Sequence, residues 1–272
     1  MPATAPPSVS ARPPATAAHA SATAPGSATP PAPAATARAS ATAPAPAAIL
    51  LDALGTLVAL EPPAPLLRSE LATRFGVDVS EAEAARAIAA EIAHYRAHLD
   101  EGRDSAGLDA LRRRCAEVLR SALPDGVGRW LELDPLVDAL LASLRFSDFP
   151  DVRPALEAAR ARGQRLVVVS NWDVSLVGVL RGLELEPLLD GILTSAMVGA
   201  RKPATAIFEQ ALALAGVGPD QAVHVGDSLD EDVAGARAAG IEPVLIRRGG
   251  GPPVPRVRTI SSLSELITAA PA

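Results

Sequence analysis

The sequence predicts an α/β fold: a parallel sheet covered by helices on both faces, interrupted by an all-helical insertion. Three observations predict it. A short apolar run, Ala48-Ile49-Leu50-Leu51, stops at Asp52, as a buried strand does when it delivers a polar group to the edge of a sheet. A long stretch follows that carries helical patterns and no strand signals. Beyond Pro150 strand and helix patterns alternate, which is the rhythm of parallel strands joined by crossover helices.

Taken in chain order, residues 1–47 are almost wholly Ala, Pro, Ser and Thr. Prolines remove backbone donors, and these small side chains bring too little apolar area to offset the entropy of ordering, so this segment is expected to be a disordered tail or spacer. After Asp52, a helix is expected near Leu66 to Phe75. Ser80-Glu81-Ala82-Glu83 has the capping-box spacing and opens a long Ala-rich helix toward Leu99. Further helices are expected over Leu108 to Leu123 and Pro135 to Leu144. Strands then follow at Arg165 to Ser170, Ile192 to Thr194, Ala222 to Val225 and Pro243 to Ile246, with helices around Ile207 to Leu214 and from Glu231. The expected organisation is therefore a tail (1–47), a core formed by 48–60 and 150–272, and an inserted helical module (61–149).

Composition excludes several function classes. In 272 residues, 49% hydrophobic content supports a folded core, while 25 basic against 31 acidic residues and no basic run give nucleic acid nothing to bind. No stretch is long and apolar enough to span a bilayer, and no secretory signal pattern opens the chain. The lone cysteine, Cys115, precludes an intrachain disulfide or a cysteine metal cluster and fits a reducing cytoplasm.

In a parallel sheet, ligands gather at the carboxyl ends of strands, and the strand runs here end in Asp52, in Ser170-Asn171 and in Gly226-Asp227. Four segments stand out: Leu51-Asp52-Ala53-Leu54-Gly55-Thr56-Leu57; Val167-Val168-Val169-Ser170-Asn171; Arg201-Lys202-Pro203 with Ala206-Ile207-Phe208; and His224-Val225-Gly226-Asp227-Ser228 continuing to Asp232. Lys202 is the only lysine in a chain that otherwise uses arginine. A compact ammonium sits between a carboxylate and an anion where a planar guanidinium would need bidentate room. Each segment also has a plain structural reading: Asp52 as a turn former, Ser170 as a cap, and the acids after Asp227 as complements to a helix dipole.

Together and in this order the four resemble the signatures of the haloacid dehalogenase superfamily, over roughly Ile49 to Ile246. The resemblance implies a Rossmann-like three-layer core with a C1-type helical cap over about 61–149, as in phosphoglycolate phosphatase-like members. It implies that Asp52 is the nucleophile, forming an ester or acyl phosphate that water cleaves. Ser170 and Asn171 would bind the transferred phosphoryl oxygens, and Lys202 would steady the charge. Mg²⁺ would be held by Asp52, the backbone carbonyl of Leu54 and Asp227, with Asp232 acting through water or steadying Lys202. His224, inside a strand run, reads as a packed core histidine.

One position departs from that pattern. Phosphatases of the superfamily carry a second Asp two residues after the nucleophile to protonate the leaving oxygen; here it is Leu54, as in a REG-2-like branch. Acid-base help of that kind is worth about a hundred- to ten-thousand-fold, so weak activity on alkyl phosphates is expected unless another group, such as Asp173, supplies the proton. The expectation is a phosphate-ester or acyl-phosphate hydrolase acting on a small anionic metabolite. The alternatives are a metal-independent 2-haloacid dehalogenase, with Arg68 or Arg74 holding the substrate, and a catalytically silent phosphoanion- or partner-binding domain. Arg112 to Arg114 read as a solvated helix face.

Overall fold

The computed structural model describes residues 45–252 and 254–268. Most of the tail expected to be disordered, as far as position 44, lies outside the described residues.

The chain enters through β1 (Ala48–Leu51), continues into the short β2 (Val58–Leu60), and then builds four helices: α1 (Pro63–Phe75), α2 (Glu81–His98), α3 (Ser105–Ala122) and α4 (Leu133–Ser143). It returns through β3 (Phe146–Asp148) to α5 (Val152–Ala161), β4 (Arg165–Ser170), α6 (Leu176–Gly182), β5 (Gly191–Thr194) and α7 (Ser195–Val198). The remainder is α8 (Thr205–Ala215), β6 (Ala222–Gly226), α9 (Ala234–Ala238), β7 (Glu242–Ile246), β8 (Arg258–Ile260) and α10 (Ser264–Thr268).

Six strands form one parallel sheet in the order β5-β4-β1-β6-β7-β8. From the central β1 the chain builds outward through β4 and β5, then crosses back to β6 and builds the other way. Strand order therefore reverses at β1, the place where open α/β sheets bind ligands. Both faces are buried, so β1 and β4 read as unbroken apolar runs rather than alternating ones. Ile49, Leu51, Leu166 and Val168 pack on one face with Val152, Leu156 and Leu176; Leu50, Val167 and Val169 pack on the other with Ile207, Phe208 and Ala236. The α/β fold with a helical insertion is as the sequence predicts.

The insertion has its own core, centred on Leu67, Leu71, Leu111, Leu119, Leu136 and Leu140, all at most 1% exposed. Ser80 and Glu83 close the expected capping box at the start of α2, which satisfies backbone donors that the first helical turn leaves open. Two features were not expected. The insertion is joined to the core by a two-stranded antiparallel ribbon, in which Val58 faces Asp148 and Leu60 faces Phe146. Three-residue strands are too short for periodicity to mark. Likewise β8, with Arg258 and Thr259 outside its one buried residue, Ile260, extends the sheet beyond the expected strands.

Candidate active site

The loops after β1, β4 and β6 and the segment before α8 meet at the carboxyl edge of the sheet. Asp52 follows β1 directly, and its backbone N–H donates to Val225 at 2.9 Å, so the neighbouring strand fixes where the carboxylate starts. Two donors converge on its Oδ1: Ser170 Oγ at 3.0 Å and Lys202 Nζ at 2.6 Å. Lys202 reaches Asp232 Oδ1 with a second bond of 2.6 Å, and its side chain is 1% exposed. The ammonium is thus clamped between two buried carboxylates.

Asp232 is held from every side. Besides Lys202, His224 Nε2 lies 2.8 Å from Oδ1, and the Ser228 backbone N–H donates to Oδ2 at 3.0 Å. A π-helical turn, Leu229–Val233, brings the carboxylate back against the end of β6, and Ser228 caps this turn by accepting from the Glu231 N–H. The approach is close enough that a Cβ on Gly226 would stand 2.1 Å from the Asp232 carboxyl carbon, so only glycine fits. Gly55 obeys the same constraint: its φ is 80°, and a Cβ there would lie 2.2 Å from Asp227 Oδ2. The loop that carries Leu54 and the loop that carries Asp227 therefore touch.

The carboxylates of Asp52, Asp227 and Asp232 lie with one oxygen of each within 4.8 Å of the others. Burial and then the Asp52 and Asp232 carboxylates push Asp227 up to about 6. Burial also raises Asp52, outweighing the pull of Lys202. For Asp232 burial acts upward, but Lys202 and the bond from His224 more than offset it and hold the carboxyl well below its ordinary value. Burial likewise opposes the charge on Lys202, and the two carboxylates more than restore it. Three acids around one ammonium, Asp52 and Asp232 buried and Asp227 exposed, leave an excess of negative charge. A hard divalent cation coordinated by oxygen would relieve that excess, so the donor set fits Mg²⁺.

Most of the residues picked out in the sequence come together here: Asp52, Ser170, Lys202, Asp227 and Asp232, with the loop of Leu54 alongside. Asn171 follows Ser170 directly at the end of β4. Its carboxamide donates to the Lys202 carbonyl at 3.0 Å and accepts from the Lys202 N–H at 2.8 Å, so the side chain sets the lysine's backbone. His224 is the residue that sequence reasoning undervalued. It is fully buried and packs edge-on against Phe208 as a core histidine would, yet it also bonds Asp232. The signal was present: His224 lies two positions before Gly226, so its side chain leaves the same face of β6.

Away from this cluster, Arg68 and Arg74 are engaged within the insertion, Arg68 donating to the Val79 carbonyl and Arg74 pairing with Glu70. Asp173 is buried and accepts from the Ser175 N–H at 2.7 Å. It faces a cavity of about 750 Å³ between the helical insertion and the core, together with Leu54, Asn171 and Arg112. Arg112 is thus on the cavity wall, whereas the sequence suggested a solvated face. Arg113 and Arg114 are paired on the surface with Asp134 and Glu101. No helix among the described residues is long and apolar enough to cross a membrane.

The chain is similar to several known proteins. Over 157 residues it is 34% identical to haloacid dehalogenase-like hydrolase domain-containing protein 3 of Mus musculus, a match covering 55% of this chain and 62% of the relative. It spans about half the length of several other curated relatives it matches. Two solved structures resemble it equally, a HAD phosphatase from Thermococcus onnurineus and a 2-haloacid dehalogenase from Pseudomonas syringae pv. Tomato. Each is 26% identical, covers 80% of this chain and 95% of its own, and superposes with a TM-score of 0.56. The description haloacid dehalogenase-like hydrolase matches residues 46–240, which hold every member of the carboxylate–lysine cluster, and the chain belongs to that family.

Proposed function

We propose that the protein is a Mg²⁺-dependent hydrolase of phosphate esters or acyl phosphates of small metabolites, working through a covalent intermediate on Asp52. The observation that carries this reading is the convergence of Asp52, Lys202, Asp227 and Asp232, with one oxygen from each of the three acids inside 4.8 Å. In this reading Asp52, Asp227 and the Leu54 carbonyl hold the metal, with Asp232 acting through water. A metal held there would supply Lewis-acid charge that offsets the negative charge of the attacking carboxylate and of the phosphoryl group.

Asp52 attacks phosphorus, a bond forms from its carboxylate oxygen, and the bond to the leaving oxygen breaks. Lys202 and Ser170, which already converge on Oδ1, hold the carboxylate in line and offer donors to the phosphoryl oxygens. Water then cleaves the aspartyl phosphate, releasing phosphate and restoring Asp52. Leu54 cannot supply the proton that an alkoxide needs, so good leaving groups are favoured. Asp232, pinned by Lys202, His224 and Ser228, serves chiefly to hold the ammonium. The buried Cys115 suits a reducing cytoplasm.

A 2-haloacid dehalogenase is the second reading, favoured by the equal likeness to the Pseudomonas enzyme. It is weakened because the arginines expected to hold a haloacid, Arg68 and Arg74, are engaged elsewhere. One experiment separates the two. Phosphate release from 4-nitrophenyl phosphate and chloride release from 2-chloropropionate are followed with Mg²⁺ and with chelator. Phosphate release that stops with chelator, and falls at least about a thousand-fold in Asp52→Asn, supports the phosphatase. Chloride release indifferent to chelator, or phosphate turnover surviving Asp52→Asn, sinks it.

A further inference from the structure

The cavity between insertion and core has a chemistry of its own. Its volume, about 750 Å³, is that of a small-molecule site. It reaches the catalytic loops at Leu54 and Asn171, and its wall is largely apolar, with Leu111, Leu140, Phe146 and Trp172 among the lining side chains. The rings of Phe146 and Trp172 pack at 5.2 Å, forming an aromatic surface. Two buried carboxyl groups stand on this wall, Glu91 and Asp173, 3% and 2% exposed. Three arginines also line the cavity: Arg96 is exposed, Arg181 is exposed and paired twice with Glu186, and Arg112 is half-buried beside Asp109.

We infer that this cavity seats an aromatic, uncharged leaving group, and hence that the substrate class is an aryl phosphate monoester. The inference rests on the hydrolase reading above and narrows it. A polyol or sugar body would set hydroxyls against a largely apolar wall, and each one left without a partner costs about 1–3 kcal/mol. A second anionic group would find no fully buried base on this wall, since Arg96 and Arg181 are exposed and Arg112 is half-buried. An aromatic body meets Phe146, Trp172 and leucines instead.

Leu54 points the same way from a separate observation. It lines this cavity where the superfamily's proton donor would stand, so the leaving oxygen departs unprotonated. A phenol, whose pKa is about 10 as in tyrosine, tolerates that; an alkyl alcohol does not. The step balances: Asp52 bonds to phosphorus, the aryl–oxygen–phosphorus link breaks on the phosphorus side, and the phenolate takes its proton from water. Glu91, which burial keeps neutral toward higher pH, remains to accept or donate one hydrogen bond to a ring substituent.

The test uses the full chain with Mg²⁺ and three substrates: 1-naphthyl phosphate, glycerol 3-phosphate and acetyl phosphate, the last too small to need the cavity. The expected result is kcat/KM at least tenfold higher for naphthyl than for glycerol phosphate. Val177→Trp, which fills the cavity from α6, should cut the naphthyl value at least tenfold and leave acetyl phosphate within twofold. Glycerol phosphate as the better substrate, or a variant that lowers both remaining activities alike or neither, overturns the inference. If acetyl phosphate is not hydrolysed at all, the hydrolase reading fails instead. The cavity is then read independently by 1-naphthol quenching of Trp172 in a Trp130→Phe chain, since Trp130 is 83% exposed and distant in role. Saturable quenching supports an aromatic occupant, and its absence refutes one.

Discussion

The carboxylate cluster and the cavity beside it are built on opposite principles. In the cluster the central polar side chains are fixed by several partners: Lys202 by two acids, Asp232 by three donors, Asn171 by both the N–H and the carbonyl of Lys202. In the cavity the walls are mostly apolar side chains whose identity matters through shape. Fixed polar geometry suits chemistry that every substrate shares, because preorganised charge need not rearrange as the reaction proceeds. Apolar walls suit selection among substrates, since they are exchanged without leaving polar groups unpaired.

If that division is right, the largest effect belongs to the cluster's centre. Lys202→Met leaves Asp52 and Asp232 buried without their cation. It should destabilise the fold by about 3–5 kcal/mol in urea unfolding and abolish phosphate release, and a variant as stable as the parent would show that the clamp is not what it looks like. Next comes the boundary between the two regions. Leu54→Asp should raise kcat on alkyl phosphates about a hundredfold and change 4-nitrophenyl phosphate little, because only the poor leaving group needs a proton. Equal gains on both substrates would put Leu54 in some other role.

A smaller effect is expected where the insertion is tied to the core. Ser195 Oγ donates to Asp100 Oδ1 at 2.7 Å, Arg201 pairs with the other oxygen, and Arg201 also donates to the Arg96 carbonyl at 2.7 Å. This tie is partly exposed and worth about 1 kcal/mol. Asp100→Ala should therefore raise KM about three- to tenfold with kcat nearly unchanged, and a fall in kcat alone would show that the tie does not act through substrate binding.

The smallest effect tests the cavity wall. Burial raises the pKa of Glu91 above its ordinary 4.5, so the folded state resists ionisation that the unfolded state accepts. Below 4.5 both states are protonated and nothing is lost; as pH rises through the raised value, stability declines. Glu91→Gln should remove that decline, so the variant gains on the parent between pH 4 and 8 in denaturant midpoints. Parallel pH profiles would mean that Glu91 is better solvated than its burial indicates.

The sequence made the cluster far more legible than the cavity. Asp52, Ser170 and Asp227 each end a strand-like run, and parallel strands deliver their ends to one edge, so spacing alone brings them together. The singular lysine did the same for Lys202. The bonds from Asn171 to the Lys202 backbone were hidden, because they join positions thirty-one residues apart that only the folded loops bring face to face. The cavity was hidden for a different reason. Leu111, Leu140 and Trp172 read as core in any apolar pattern, and whether such side chains meet or stand apart depends on how the insertion is set on the core. Arg112 shows the difference: the step of about 100° from one residue to the next on α3 separates it, on the cavity wall, from the exposed Arg113.

Arg201 and Lys202 are consecutive, one gripping the insertion and the other the nucleophile. Anyone grafting a foreign lid onto this scaffold would inherit that coupling. A replacement lid lacking an acid at position 100, or ending its second helix a turn early, would free Arg201 and loosen the peptide that carries the ammonium. Chimeras built here should be chosen first for that junction and only then for the new pocket.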